Sequence, residues 1–149
     1  MKVNVVIKVM ELSDVPSASE ELLLAFKEKP WEESWTFSDA RRRITGILES
    51  PSSFGLVALA DNKVVGIALG LSKGYLDKQD FWLDEFSVDP NYQKQGIATK
   101  LMKELKKKLK EKEITKIYLV TRKHYPCVSL YEKEGFSSEG EDLLMTVDL

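Results

Sequence analysis

Val88-Asp89-Pro90-Asn91-Tyr92-Gln93-Lys94-Gln95-Gly96-Ile97-Ala98 passes from an apolar strand, through a proline turn, into a strongly amphipathic helix. Pro90 has no amide donor and ends the strand, while Gly96 and Ala98 keep bulky side chains away from the bend into the helix. The first amides of that helix lack intrahelical partners and stand at the positive end of its dipole, which suits a phosphate or pyrophosphate. Downstream, Ile97, Leu101, Leu105 and Leu109 form one stripe, with lysines on the other side. Lys116-Ile117-Tyr118-Leu119-Val120-Thr121 is then apolar on both faces, the pattern of a central strand covered by helices. Residues 81–121 thus read as two parallel strands joined by a helical crossover, with the anion loop at the carboxyl end of the first. This makes the chain α/β, a layered domain on a mixed sheet.

Working back from the loop, Phe81-Trp82-Leu83-Asp84-Glu85-Phe86-Ser87-Val88 is the fourth strand, preceded by a loop over Ser72–Asp80. Phe54–Ala60 and Val64–Leu71 are apolar runs around Asp61-Asn62-Lys63 and form an antiparallel hairpin. A first strand is expected over Val3–Val9, and a helix opened by a capping box at Ser17-Ala18-Ser19-Glu20. Thr36 or Ser38 can cap a second helix with Ala40, Ile44, Ile47 and Leu48 on one face. Beyond the crossover, a short helix around Cys127–Lys133 and a closing strand over Leu143–Val147 complete the domain.

With 149 residues, 43% apolar and 31% charged, the chain fits a single globular domain over residues 1–149. Cys127 is the only cysteine, so no internal disulfide or cysteine zinc cluster is available; no metal is expected and a reducing compartment fits best. Met1–Lys8 is too short and too polar for a signal peptide, and no apolar run approaches a membrane span. A cytoplasmic protein without a membrane partner is expected. A net charge of −2 gives no reason to invoke nucleic acid. Charge is unevenly placed, acidic from Glu11 to Asp39 and lysine-rich from Lys94 to Lys112. Either run is accounted for by a solvated helix face, or by a cationic acceptor on the acidic side and phosphates on the basic side.

Gln93-x-x-Gly96-x-Ala98, following Val88-x-Pro90, resembles the acetyl-CoA-binding loop of the GNAT family of N-acetyltransferases, written Arg/Gln-x-x-Gly-x-Gly/Ala. Leu130-Tyr131-Glu132-Lys133-Glu134-Gly135-Phe136 resembles the family's Leu/Phe-Tyr-x-x-x-Gly-Phe segment. The resemblance runs from about Leu83 to Phe136 and is only architectural before that. It implies a central mixed, mostly antiparallel sheet with helices on both faces. It also implies an enzyme that moves an acetyl group from acetyl-CoA directly to a primary amine in a ternary complex. The pyrophosphate would lie on the amides of Gln93, Lys94, Gln95, Gly96, Ile97 and Ala98. The pantetheine arm would pass between splayed fourth and fifth strands against the main chain of Phe86 and Val88, with the Phe86 amide polarising the thioester carbonyl.

The same resemblance makes Tyr131 the candidate general acid for the departing thiolate, against the alternative of a buried structural tyrosine. Glu85 is the candidate base or amine ligand, and strand alternation sends its neighbour Asp84 to the opposite face. Asp84 is a second substrate-binding candidate, with a turn or ion-pair role as its alternative. His124 stands where the family often has an Asn near the pantetheine, a departure that a hydrogen-bonding or a plain surface histidine would explain. Cys127 reads as a packing residue, since the family transfers the acetyl group without a covalent enzyme intermediate.

Trp31, Glu32, Glu33 and Trp35 lie in the loop between the first two helices, the region that commonly shapes the acceptor pocket in this family. Aromatic faces beside carboxylates suit a polycationic amine, although large aromatics also pack against sheets. The acceptor expected is a small cationic amine, aminoglycoside- or polyamine-like, with a protein N-terminus or lysine as the alternative. A non-catalytic acyl-CoA-binding domain is the rival of another class. The chain has no Gly-x-x-x-x-Gly-Lys-Ser/Thr or Gly-x-Gly-x-x-Gly of other nucleotide binders. A homodimer is one assembly left open.

Overall fold

The computed structural model describes residues 3–138 and 140–149. Along the chain run β1 (Val6–Val9), α1 (Val15–Lys27), α2 (Phe37–Leu48), β2 (Ser53–Ala60), β3 (Lys63–Tyr75), β4 (Lys78–Val88), α3 (Ile97–Glu111), β5 (Lys116–Tyr118) and α4 (Cys127–Lys133). The strands form one sheet in the order β1-β2-β3-β4-β5, antiparallel except for the parallel β4–β5 pair. This is the mixed, mostly antiparallel sheet with helices on both faces that the resemblance implies.

Because side chains alternate along a strand, β2 and β3 feed two cores. Val57, Ile67 and Leu69 pack with Ala18 and Leu22 of α1 and Ile44 and Ile47 of α2. Leu56, Ala58, Val65 and Ala68 pack on the other face with Ile97, Leu101, Leu105 and Leu109 of α3, the stripe read from the sequence. Thr36 caps α2 as expected: its hydroxyl accepts from the Asp39 amide, and the Asp39 carboxylate accepts from the Thr36 amide, each at 3.0 Å. The Asp61-Asn62 turn takes positive φ at both residues, 50° and 63°, which matches the twist of the β2–β3 hairpin.

Several expectations are corrected. The first strand covers only Val6–Val9 of the expected 3–9. Helix α1 starts at Val15, before Ser17, because Pro16 fits a first helical turn; the Ser17 hydroxyl instead accepts the Val64 amide at 2.9 Å. Residues 72–80 are not a loop: β3 and β4 run on into a hairpin pairing Tyr75 with Lys78, turned at Leu76 with φ 56°. A leucine at positive φ carries no turn signal. β5 is a three-residue edge strand rather than a central one, and residues 143–147 form no strand; Leu143, Leu144, Met145 and Val147 are exposed.

One irregularity positions the site. Leu69 pairs with Glu85 and Gly70 with Leu83, so Asp84 is an extra, bulged residue in β4. The bulge reverses the alternation. Phe81 and Leu83 face the α3 core, as do Phe86 and Val88 after it, while Glu85 and Ser87 are turned toward α1 and α2. Gly70 permits the bulge, since a Cβ there would meet the Trp82 carbonyl at 2.0 Å.

Candidate active site

The loop after β4 is held by its own polar groups. The buried Asp89 donates its amide to the Val65 carbonyl at 2.8 Å, and its carboxylate accepts the Asn91 amide at 2.9 Å. The Gln93 side chain donates to the Val88 carbonyl at 3.2 Å, and the Gln95 side-chain carbonyl accepts the Val3 amide at 3.2 Å. Both glutamine side chains are therefore used in shaping the loop, which leaves backbone amides and the exposed Lys94 to face outward. Positive φ at Lys94 (62°) and Gly96 (81°) folds the chain into α3. The first intrahelical bond is donated by Lys100 to the Gly96 carbonyl at 3.0 Å, which leaves the amides of Ile97 and Ala98 open at the positive end of the helix. A Cβ on Gly96 would meet nothing within 4 Å, so the approach to these amides is unobstructed.

Strands β4 and β5 pair only from Asp80↔Lys116 to Trp82↔Tyr118. At the last rung Trp82 and Tyr118 stack with centroids 4.6 Å apart. From Leu83 to Val88, β4 pairs with β3 alone among the described residues, so Phe86 and Val88 lie where the two strands have parted. Tyr131 of α4 packs at this place, its ring 6.0 Å from Phe86 and 5.7 Å from Phe136. Burial pushes its phenol far above the ordinary tyrosine value, with Cys127 adding to the effect, so it keeps its proton throughout the working pH range. Gly135, at φ 95°, closes α4 by turning the chain so that the Phe136 amide reaches the Tyr131 carbonyl at 2.9 Å.

On the other face of β4, an open cleft of about 480 Å³ is lined by Glu33, Ser34, Trp35, Asp39, Arg42 and Arg43. Glu85 is buried beside it and accepts the Arg43 Nε–H at 2.7 Å. Burial raises the Glu85 carboxyl above the usual glutamate range, and the Arg43 bond opposes this. The Trp35 indole donates to Glu33 at 3.1 Å. Asp39 is held below the usual range by its bonds from Thr36.

The structure thus brings Glu33 and Trp35 to the cleft whose Arg43 bonds Glu85, but not the other acceptor-side candidates. Trp31 is packed edge-on against Phe26 (5.1 Å) and Tyr125 (5.7 Å), and Glu32 is exposed in the loop. Asp84 is exposed at the bulge, and His124 is exposed with its ring against Tyr125 at 5.0 Å. Arg42 and Arg43 were not among the sequence candidates, and Asp39 stood there only as the end of the acidic run. The Arg41-Arg42-Arg43 run was a visible signal, but its partner Glu85 is 42 residues away. Glu21, read as part of an acidic surface, is buried in α1, where the Ser87 hydroxyl donates to it at 2.9 Å. Burial pushes its carboxyl up to about 8, so it is largely protonated at neutral pH.

Residues 18–136 match the Acetyltransferase (GNAT) family, and the chain belongs to that family. It is an acetyltransferase by family, with acetyl-CoA as the implied cosubstrate. No curated protein sequence matches it. Its fold is similar to that of an aminoglycoside acetyltransferase from an uncultured soil metagenomic sample, solved with sisomicin, at a TM-score of 0.78 and 20% identity over 97% of this chain and 96% of that one. A possible acetyltransferase from Clostridium difficile has a TM-score of 0.82 and 13% identity over 97% and 98% of the two chains. A transcriptional regulator from Bacillus halodurans has a TM-score of 0.79 and 19% identity over 97% and 100%. Among the described residues, no three His, Cys, Asp or Glu side chains gather into a metal-binding group, and no helix is long and apolar enough to cross a membrane.

Proposed function

We propose that the protein transfers the acetyl group of acetyl-CoA directly to the primary amine of a small cationic acceptor, of aminoglycoside or polyamine type. The observation that carries the acceptor class is the cleft beside Glu85, where three carboxylates (Glu33, Asp39, Glu85) outnumber two guanidinium groups (Arg42, Arg43) next to the Trp35 indole. Open amides at Ile97 and Ala98 suit the pyrophosphate, and the parted strands leave the main chain of Phe86 and Val88 for the pantetheine arm. Acetyl-CoA supplies the thioester whose C–S bond breaks as the C–N bond forms. Glu85 takes the proton that the ammonium must lose, directly or through one water, and Tyr131 gives its proton to the departing sulfur. The two groups act from opposite faces of β4, the acceptor side and the α4 side.

The test is thiol release from acetyl-CoA over a panel of amines. Polyamines and aminoglycosides are expected to be acetylated faster than neutral amines or peptide N-termini. Their KM is expected to rise with salt, because charges exposed in an open cleft are screened over roughly 8–10 Å near physiological ionic strength. Glu33→Gln is expected to raise the acceptor KM about two- to fivefold, as for an exposed ion pair, and to leave the acetyl-CoA KM unchanged. A salt-insensitive preference for peptide N-termini would replace this acceptor class with a protein one.

A further inference from the structure

We propose that Arg43 is a specificity-determining residue: its guanidinium occupies, in the acceptor-free protein, the seat on Glu85 that the acceptor's ammonium takes, so acceptor binding is an exchange of cations. This rests on the reading of Glu85 as the group that meets the acceptor.

The two partners are unequally mobile. Glu85 stands in the C-terminal half of β4, paired with Leu69 of β3, with its side chain 8% exposed, whereas the Arg43 side chain is 45% exposed and lines the cleft. Arg43 is therefore the member that can leave into water at little cost, and Glu85 is the one that cannot follow. Asp39, one helical turn before Arg43 on α2, also lines the cleft and is held only loosely by Arg42 at 3.9 Å, so it offers the displaced guanidinium an i,i+4 partner.

The groups around Glu85 decide what can displace Arg43. From α2 comes Arg43; from its own strand, Asp84; from the loop before α2, Glu33; and from α1, the buried and protonated Glu21. Apart from Arg43 these are acidic groups, and a buried carboxylate stripped of its cation is strongly destabilised. A neutral molecule that pushed Arg43 aside would leave Glu85 uncompensated. An ammonium replaces the lost charge, so the exchange admits protonated amines and rejects uncharged analogues of the same size. Each accepted amine arrives on the carboxylate that is to receive its proton.

The experiment follows the Arg43 Nε–H resonance of the full-length, ¹⁵N-labelled protein with CoA present, during titration with spermidine or with tetraethylene glycol, an uncharged chain of similar length. Spermidine is expected to shift the resonance and to speed its exchange with solvent roughly tenfold or more, as for a broken buried hydrogen bond; the glycol is expected to do neither. In kinetics, Arg43→Gln is expected to lower the acceptor KM roughly fivefold by removing the competitor. The same variant is expected to move the acidic limb of kcat/KM to higher pH, because Glu85 loses the bond that opposes its burial. Arg43→Lys is expected to return both values toward wild type, and it keeps a cation on Glu85 should the glutamine variant fold poorly. An Nε–H that spermidine at saturation leaves untouched, or an acceptor KM that rises in Arg43→Gln, overturns the exchange. If no amine in the panel is acetylated while spermidine still releases Arg43, the exchange stands and the proposed reaction falls.

Discussion

Gly96→Trp is expected to abolish the thermal stabilisation of the protein by CoA while leaving the fold in place. Gly96 stands at φ 81° at the N-terminus of α3, and a Cβ there points into open space. A side chain at this φ costs about 1–2 kcal/mol in strain, which a domain of this size tolerates. An indole would project into the approach to the Ile97 and Ala98 amides, and the Gln93 and Gln95 side chains, tied to Val88 and Val3, do not replace them. CoA at about a hundred times its Kd stabilises a protein by about 2.7 kcal/mol. For a chain of this length that is roughly 5–10 °C in Tm. Differential scanning fluorimetry with and without CoA reads the difference, with Gly96→Ala as the control that carries the strain and not the bulk. An undiminished CoA shift in a folded Gly96→Trp protein removes the pyrophosphate from this loop.

Glu85→Gln carries the largest expected loss of rate. A positioned general base contributes about 10²–10⁴-fold, so kcat is expected to fall by that amount with acetyl-CoA affinity kept. Gln keeps an oxygen for the Arg43 Nε–H, so the pair at 2.7 Å has a substitute and the cleft persists. The wild-type pH profile supplies the sign. The base works as carboxylate, and burial raises its pKa, so kcat/KM is expected to fall with decreasing pH through a value above the ordinary glutamate range. That limb is expected to vanish in Glu85→Gln. If Glu85 serves only as a ligand for the amine, the same variant raises the acceptor KM and spares kcat. Tyr131→Phe, by contrast, is expected to lower kcat about 10²-fold or less at all working pH values, because the wild-type phenol stays protonated throughout. Wild-type kinetics in both variants would refute both roles.

How much of this the sequence carried depends on how local the signal was. The α3 stripe, the Thr36 cap and the Asp61-Asn62 turn each rest on residues within a few positions of one another, and each is found in place. The β3–β4 hairpin was missed because Leu76 adopts positive φ without the Gly or Asn that usually marks such a turn. The apolar run at 116–121 has the pattern of a buried strand, yet only Lys116–Tyr118 pairs, and at an edge. The site shows the same division. Glu33, Trp35, Glu85 and Tyr131 could be singled out from type and place. The face that Glu85 occupies could not, because it depends on one bulged residue opposite Gly70, and neither could its ion pair with a helix 42 positions earlier. Trp31 and Glu32, of the same composition, lie outside the lining of that cleft, Trp31 packed on Phe26 and Tyr125.

Direct reaction between acetyl-CoA and a cationic amine on this protein is read from initial rates of thiol release with acetyl-CoA and spermidine varied together. Double-reciprocal lines that intersect are expected, as a ternary complex requires, together with a rate that survives Cys127→Ser. Parallel lines, or a rate that vanishes with Cys127, would reveal an acetylated enzyme and contradict direct transfer.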